Sequence, residues 1–369
     1  MSPASRLNFH VIYKPYFSKK FAMTRLATAT LLLFSAVACA QKPTPSLPPA
    51  APFPSDSALT TIAFGSCNRQ DLPQVIWKDI LANDPQLWIW LGDNIYGDTE
   101  NMEVMKQKYD RQKSGEGYQQ LRSNAAIVGI WDDHDYGVND GDKNYSQKAA
   151  SKGLMLDFLD VPATAPVRTR EGAYQDYTFG PEGKQVKVIL LDARYFRDEL
   201  QKGEGDDSRR YLPNETGDVL GEAQWQWLEE TLTQSTAQVH LIGCGIQFLS
   251  AEHAFEKWAN FPAARKRLLD LLVKTQPAAA ILLSGDRHIA EVSKMDLEGL
   301  PYPLFDITSS GLTHAYTKAS GEPNAYRVGP LVNEKNFGVL RLNWSGEKPA
   351  VSVEIRSEGN NLLTRQSLF

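Results

Sequence analysis

The sequence predicts an α/β fold in which two mixed β-sheets face each other and helices cover the outside. Three observations carry that expectation. Short apolar runs of buried-strand type recur along the chain, each ended by Gly or a polar residue; amphipathic helical stretches separate them; and near the carboxyl terminus two segments alternate strictly between apolar and polar residues. Buried runs suit parallel strands covered on both faces, whereas strict alternation suits an antiparallel pair with one buried face.

With 369 residues, 42% of them hydrophobic, the chain can bury a large core. A net charge of -5, with the basic residues scattered, leaves no footprint for nucleic acid, so nucleic-acid binding is not expected. Leu26 to Ala40 is an apolar stretch of signal-peptide length behind the lone Arg25, too short to span a bilayer comfortably. The expected layout is a signal peptide over 1–40, with Met23 the more typical start, a Pro-, Ser- and Ala-rich tether over 41–56, and one domain over 57–369. Small residues from Ser35 to Ala38 before Cys39 fit a bacterial lipoprotein cleavage box, which would anchor Cys39 to a membrane through lipid. Ala36-Val37-Ala38 also fits an ordinary signal-peptidase site; either way the chain is expected to be exported, membrane-anchored or periplasmic.

In chain order, Leu59 to Phe64 reads as a strand, Leu72 to Asn83 as a helix through Val75, Ile76, Ile80 and Leu81, and Leu87 to Leu91 as a second strand, making a βαβ start. Met102 to Asn124 reads as two polar helices interrupted at Gly115-Glu116-Gly117, followed by a strand from Ala125 to Trp131. Ala149 to Leu159 is a helix stopped by Pro162, and Tyr174 to Phe179 and Val186 to Leu191 flank a turn at Pro181-Glu182-Gly183-Lys184 as a hairpin. Arg197 to Val219 is acidic and without period, a long surface loop. Gly221 to Leu232 and Pro262 to Val273 are amphipathic helices, each leading into an apolar strand, Val239 to Phe248 and Ala278 to Leu283. Phe337 to Trp344 and Ala350 to Arg356 form the closing antiparallel pair.

Chemistry gathers where the strands stop. Five runs end in Gly65-Ser66-Cys67-Asn68, in Gly92-Asp93-Asn94-Ile95-Tyr96, in Asp132-Asp133-His134-Asp135, in Asp192-Ala193-Arg194 and in Ser284-Gly285-Asp286-Arg287-His288. In sheets built from alternating strands and helices, ligands bind outside the carboxyl ends of the strands. Convergence of these ends predicts a metal site. Asp93 on its Gly turn can bridge two cations, and a Cys67 thiolate with a Tyr96 phenolate points to iron at one position, since all-oxygen surroundings would suit calcium or magnesium. The Asp132 to Asp135 cluster concentrates like charge that a bound cation relieves, with His134 either a ligand or a general acid for the leaving alkoxide. Gly137, Asn139 and Asp140 continue a polar loop able to add an oxygen ligand.

Asp286 and His288 fall on the same side of an extended chain and can serve both metals, which leaves Arg287 facing away. A pair of cations about 3.5–4 Å apart can activate a water and hold phosphoryl oxygens during in-line displacement. Arg194 is either a bidentate clamp on the phosphate oxygens or a salt-bridge partner of Asp192 or Asp198. Cys67 is expected as a ligand, the alternative being a disulfide to Cys244, itself expected as a buried inert thiol. His240 reads as a core residue, Gln247 can reach the cavity from the far end of its strand, and His314 has only a weak claim.

Taken together, Gly65-Ser66-Cys67, Gly92-Asp93-x-x-Tyr96, Trp131-Asp132-Asp133-His134-Asp135, Leu191-Asp192-x-Arg194 and Ser284-Gly285-Asp286-x-His288 resemble the successive motifs of the alkaline phosphatase D (PhoD-like) branch of the calcineurin-like metallophosphoesterases, and Leu220 to Leu228 resembles the helix that follows the Asp-x-Arg strand. The resemblance implies two facing mixed sheets flanked by helices and hydrolysis of phosphate mono- or diesters at iron next to calcium. Carried over, it implies that Cys67, Asp93, Tyr96 and His288 hold iron, that Asp93, Asp133 and Asp286 hold the second cation, and that His134 stands at the leaving group and Arg194 at the phosphate. The opening Asp-x-His of the wider superfamily is absent, Asp133 stands where Asn is usual and Asp286 replaces a His, which leaves zinc, manganese or magnesium open. The competing readings are a phospholipase D-type diesterase of the same fold and a non-catalytic metal-binding surface lipoprotein. Calcium alone has little use for Cys67 and Tyr96, which separates the last reading from the others.

Overall fold

Each predicted strand in the first half of the chain finds a partner, and the partners sort into two sheets. The computed structural model describes residues 51–52, 56–203 and 211–369; the expected signal peptide, Cys39 and most of the tether lie outside these residues. In order, the elements are β1 (Thr61–Gly65), α1 (Trp77–Leu81), β2 (Leu87–Leu91), α2 (Met102–Lys113), α3 (Glu116–Asn124), β3 (Ala126–Ile130), α4 (Asp133–Tyr136), α5 (Lys148–Phe158), β4 (Gln175–Phe179) and β5 (Val186–Leu190). There follow β6 (Gln201–Lys202), β7 (Tyr211–Leu212), α6 (Gly221–Gln234), β8 (Val239–Gly243), α7 (Pro262–Thr275), β9 (Ala280–Ser284), β10 (Ala290–Met295), β11 (Leu304–Ser309), β12 (Arg327–Val332), β13 (Phe337–Asn343), β14 (Ala350–Arg356) and β15 (Leu362–Ser367).

Among the described residues, one sheet runs β15-β14-β13-β1-β2-β3 and a second runs β12-β10-β11-β9-β8-β5-β4. β1, β2 and β3 are parallel, and so are β5, β8, β9 and β11, so their carboxyl ends open on one side of each sheet. The sequence alternation shows why two layers form. Val188 and Leu190 join Ile62, Leu87, Leu241, Ile281 and Val339 in one apolar core that draws on both sheets, whereas Ile189, Leu191, Ile242 and Leu282 turn outward onto Trp225 and Leu228 of α6 and Leu268 and Leu272 of α7. Full burial of each such side chain contributes about 1.5–3 kcal/mol. A strand apolar on both faces is therefore stable only between the other sheet and a helix layer.

Two expectations are corrected. The first helix begins at Trp77, not Leu72: Pro73 steers Leu72 out of the α region, and Val75 remains exposed. The acidic loop after Arg197 carries a short antiparallel ladder, β6 with β7, while its residues 204–210 lie outside the described set.

Candidate metal centre

The strand ends do converge. Each sheet delivers its ligand-type residues in the loop that directly follows a parallel strand, and small residues let those loops approach. A Cβ on Gly285 would stand 2.4 Å from the Leu91 carbonyl oxygen, and one on Gly245 would stand 2.1 Å from Asp132 Oδ1. Neither position tolerates a side chain, so β2, β8 and β9 meet through bare backbone.

Two groups of ligand-type atoms result. Cys67, Asp93 and His288 form one and Asp93, Asp133 and His134 the other, with the atoms of each group within 4.8 Å of one another. Asp93 belongs to both. Cys67 Sγ lies 3.5 Å from Asp93 Oδ2 and 3.5 Å from the Asp286 carbonyl oxygen. The Tyr96 hydroxyl lies 2.8 Å from His288 Nε2 and 3.1 Å from His314 Nε2, and the Tyr96 ring stacks on His134 at 4.1 Å. Asp286 is outside both tight groups and lines, with Asp133, His134 and His288, a cavity of about 170 Å³.

The loops are held by carboxylates that do not face that cavity. Asp135, fully buried, accepts backbone N–H bonds from Asp132 at 2.7 Å, Asp93 at 3.2 Å and Asn94 at 3.1 Å, locking the β2 loop to α4. Burial pushes its carboxyl up to about 7 against the pull of those three donors. Asp192 takes Trp131 Nε1 and the N–H groups of Arg194, Tyr195 and Ala173, a purely structural clamp. Asp140 donates its backbone N–H to Asp133 Oδ2 at 2.7 Å.

Electrostatics ask for a cation. Burial, then the charges of Asp93 and Asp286, push the Cys67 thiol well up; burial does the same to Asp93, and to Tyr96 with Cys67 and Asp93 adding to it. Asp133 goes the other way, held down to about 2 although burial opposes ionisation, because the Arg194 and His134 charges and the Asp140 N–H favour its anion. Burial, then the charges of His314 and His134, bring His288 down to about 3 and so keep it a neutral imidazole. A thiol, a phenol and a shared carboxyl crowded together in the dry suit a metal ion, which would favour the ionised form of each. The residues present fit a metal pair.

Three expectations about individual residues change. Arg194, expected at the phosphate, has no exposed surface: its Nε donates to Asp132 Oδ1 at 2.7 Å and its NH1 to Glu256 Oε2 at 2.6 Å, so it is a buried counter-charge beneath the site. Arg287, expected to face away, lines the cavity, with its guanidinium 4.2 Å from the centroid of the Phe255 ring and bonded to Glu322 at 2.5 Å. The strand stops at Ser284, and Asp286 and His288 adopt φ of 64° and 54°, so a turn, not extended alternation, decides where these side chains point.

Cys67 and Cys244 are both free thiols. His240 is a core residue bonded to Ala278 and Ser235, and Gln247 is buried on Glu291 and Thr308 and does not reach the cavity. Sequence reasoning undervalued His314 and missed Asp98, whose Oδ1 lies 2.6 Å from His134 Nδ1, and Glu256. Asp98, two residues past Tyr96, was within reach of the motif; Glu256 sits in no motif.

The two-sheet sandwich is a fold that solved structures share. The structure of PhoD matches with a TM-score of 0.63 at 17% identity, over 87% of this chain and 73% of that one. A dimetal phosphatase from Danio rerio matches with 0.52 at 14%, over 85% and 99%. GAP50, the anchor in the inner membrane complex of Plasmodium, matches with 0.54 at 13%, over 85% and 89%. The chain belongs to the PhoD-like phosphatase family, whose profile matches residues 62–314. Alkaline phosphatase D of Bacillus subtilis (strain 168) is 27% identical over 303 residues, 68% of this chain, and the chain spans about half, 48%, of the length of that relative.

Proposed function

We propose that this chain is a dimetal phosphoesterase that hydrolyses phosphate mono- or diesters. The observation that carries the reading is Asp93, a buried carboxyl shared between the Cys67–His288 group and the Asp133–His134 group. The sandwich by itself decides nothing, since an anchor protein has it too.

Cys67, Asp93, Tyr96 and His288 would hold iron, and Asp93 and Asp133 a second cation, calcium by analogy with the family, to which Asp286, outside the tight group but lining the same cavity as Asp133, would add a further oxygen. When bound, such a pair supplies an activated water and neutralises charge on the phosphoryl oxygens. The chain's own groups do the rest. Burial opposes a proton on His134, and the charges of Asp93, Asp98 and Asp133 favour one; of these Asp98 is outside the metal ligands and keeps its pull, so His134, with Nδ1 held by Asp98, is the general acid that presents Nε2 to a leaving alkoxide. Arg287 is the guanidinium at the cavity. Arg194 acts through Asp132 and Glu256 from below.

Metal-loaded protein is expected to hydrolyse 4-nitrophenyl phosphate or its bis ester, and Asp93→Ala is expected to lose that activity while keeping its circular dichroism. Undiminished hydrolysis in Asp93→Ala, or none by a protein whose elemental analysis shows both metals, would sink the reading; choline release from phosphatidylcholine would favour the phospholipase D-type reaction. We also infer export, from Leu26 to Ala40, and a lipid on Cys39. Incorporation of labelled palmitate that Cys39→Ser does not abolish would refute the anchor.

A further inference from the structure

We propose that the cavity on the outer side of Tyr96 is a second binding site, taking an anionic group carried by the leaving alcohol of the substrate. The inference rests on the phosphoesterase reading. The cavity measures about 500 Å³, within the range of about 300–1,000 Å³ usual for small-ligand pockets. One wall is a single face of α2, where Val104, Gln107, Lys108 and Arg111 follow the spacing that places residues above one another on a helix. Arg69, two residues past Cys67, forms the other side.

Its charges do not cancel. Arg69 is taken up by Asp71 through bonds of 3.2 and 2.8 Å, and Asp98 by His134 at 2.6 Å. Lys108 and Arg111 remain. Lys108 Nζ donates to the carbonyl oxygens of Tyr96 at 3.1 Å and Gly97 at 2.7 Å, which uses two of its three donors and no carboxylate. Exposed Arg111 has no hydrogen-bond or ion-pair partner among the described residues. A planar fork of N–H donors beside an ammonium with one donor to spare suits a phosphate or carboxylate.

The cavity also lies where a leaving group would go. Tyr96 separates it from the ligand groups, with its ring stacked on His134 and its hydroxyl 2.8 Å from His288 Nε2. His134, the proton donor of the proposed reaction, is tied through Nδ1 to Asp98, which lines this cavity. The smaller cavity, lined by His134 itself with Asp133, Asp286 and Arg287, is left for the phosphoryl group. The preferred substrate is thus an ester whose alcohol bears a second negative charge.

Matched esters test this on the metal-loaded protein: butane-1,4-diol and hexane-1,6-diol, each as monophosphate and as bisphosphate. Wild type is expected to favour one of the bisphosphates by about fivefold in kcat/KM beyond the statistical factor of its two ends, as an exposed ion pair allows. Arg111→Gln should erase the preference and leave the monophosphate rates unchanged, while Arg111→Lys keeps most of it. No preference at either length, or one that survives in Arg111→Gln, overturns the site. If neither monophosphate is hydrolysed, the monoester half of the phosphoesterase reading fails instead. The site is then decided by calorimetric binding of butane-1,4-bisphosphonate, which must weaken about fivefold in Arg111→Gln; equal affinity overturns it.

Discussion

Cys67, Asp93, Asp98, Asp140, Asp286 and His288 all carry positive φ, between 45° and 64°. A non-glycine residue pays roughly 1–2 kcal/mol for that region, less when it is Asp, so the loops are bent against local preference to make their side chains face inward, the kind of strain that clusters at functional sites. Asp93→Asn should lower bound metal by at least half on elemental analysis and cut ester hydrolysis by more than about a hundredfold. Truncating Arg194 leaves Asp132 and Glu256 buried with too little positive charge, so Arg194→Met should lose about 3–5 kcal/mol in urea unfolding. Asp306, buried on β11 beside β9, accepts from the Phe248 and Leu249 N–H groups and from Ser284, and burial raises its carboxyl to about 6. The folded state therefore holds this proton more tightly than the unfolded chain does. Its contribution to stability is complete below about pH 4 and falls away as pH rises through 6, by about 3 kcal/mol in all. Asp306→Asn keeps the acceptor without the titration, so its stability relative to wild type should rise between pH 4 and pH 7; a constant difference would refute the assignment.

At the scale of elements, Gly285 and Gly245 decide whether the strand ends meet. Gly285→Ala should cost about 1–3 kcal/mol and reduce metal uptake together, because the added methyl runs into the Leu91 carbonyl. The strands that were legible from sequence are those buried on both faces, β1, β2, β3, β5, β8 and β9, since an apolar run closed by Gly has few other uses, together with the hairpin strand β4 and the strictly alternating pair β13 and β14. The polar ends of the buried runs were legible with them. β10 and β11 were not, because Glu291, Ser293, Asp306 and Thr308 break the apolar pattern and are satisfied by partners distant in sequence, among them Gln247 and Arg327, and β12 and β15 were not because, as half-exposed edge strands, they carry no buried apolar run. The roles of Arg194 and Arg287 were hidden for the same reason: each guanidinium is placed by a carboxylate distant in sequence, Glu256 for Arg194, 62 positions away, and Glu322 for Arg287. The turn at Asp286 was hidden because the sign of φ is not written in residue type.

For the whole molecule, the two ligand groups couple metal binding to folding. Saturating metal at about a thousand times its dissociation constant would stabilise the chain by about 4 kcal/mol, so a chelator should lower the melting temperature by at least about 5 °C and added metal should restore it. No helix among the described residues is long and apolar enough to cross a membrane. The first sheet is assembled from both ends of the domain, with β1 paired on one side to β2 and on the other to β13, Thr61 facing Arg341. A ribosome must therefore reach Phe337–Asn343 before β1 gains its second neighbour. Until then the earliest strand offers a bare row of peptide groups to any passing extended chain, and a translation product halted short of residue 337 is a substrate for chaperones and proteases.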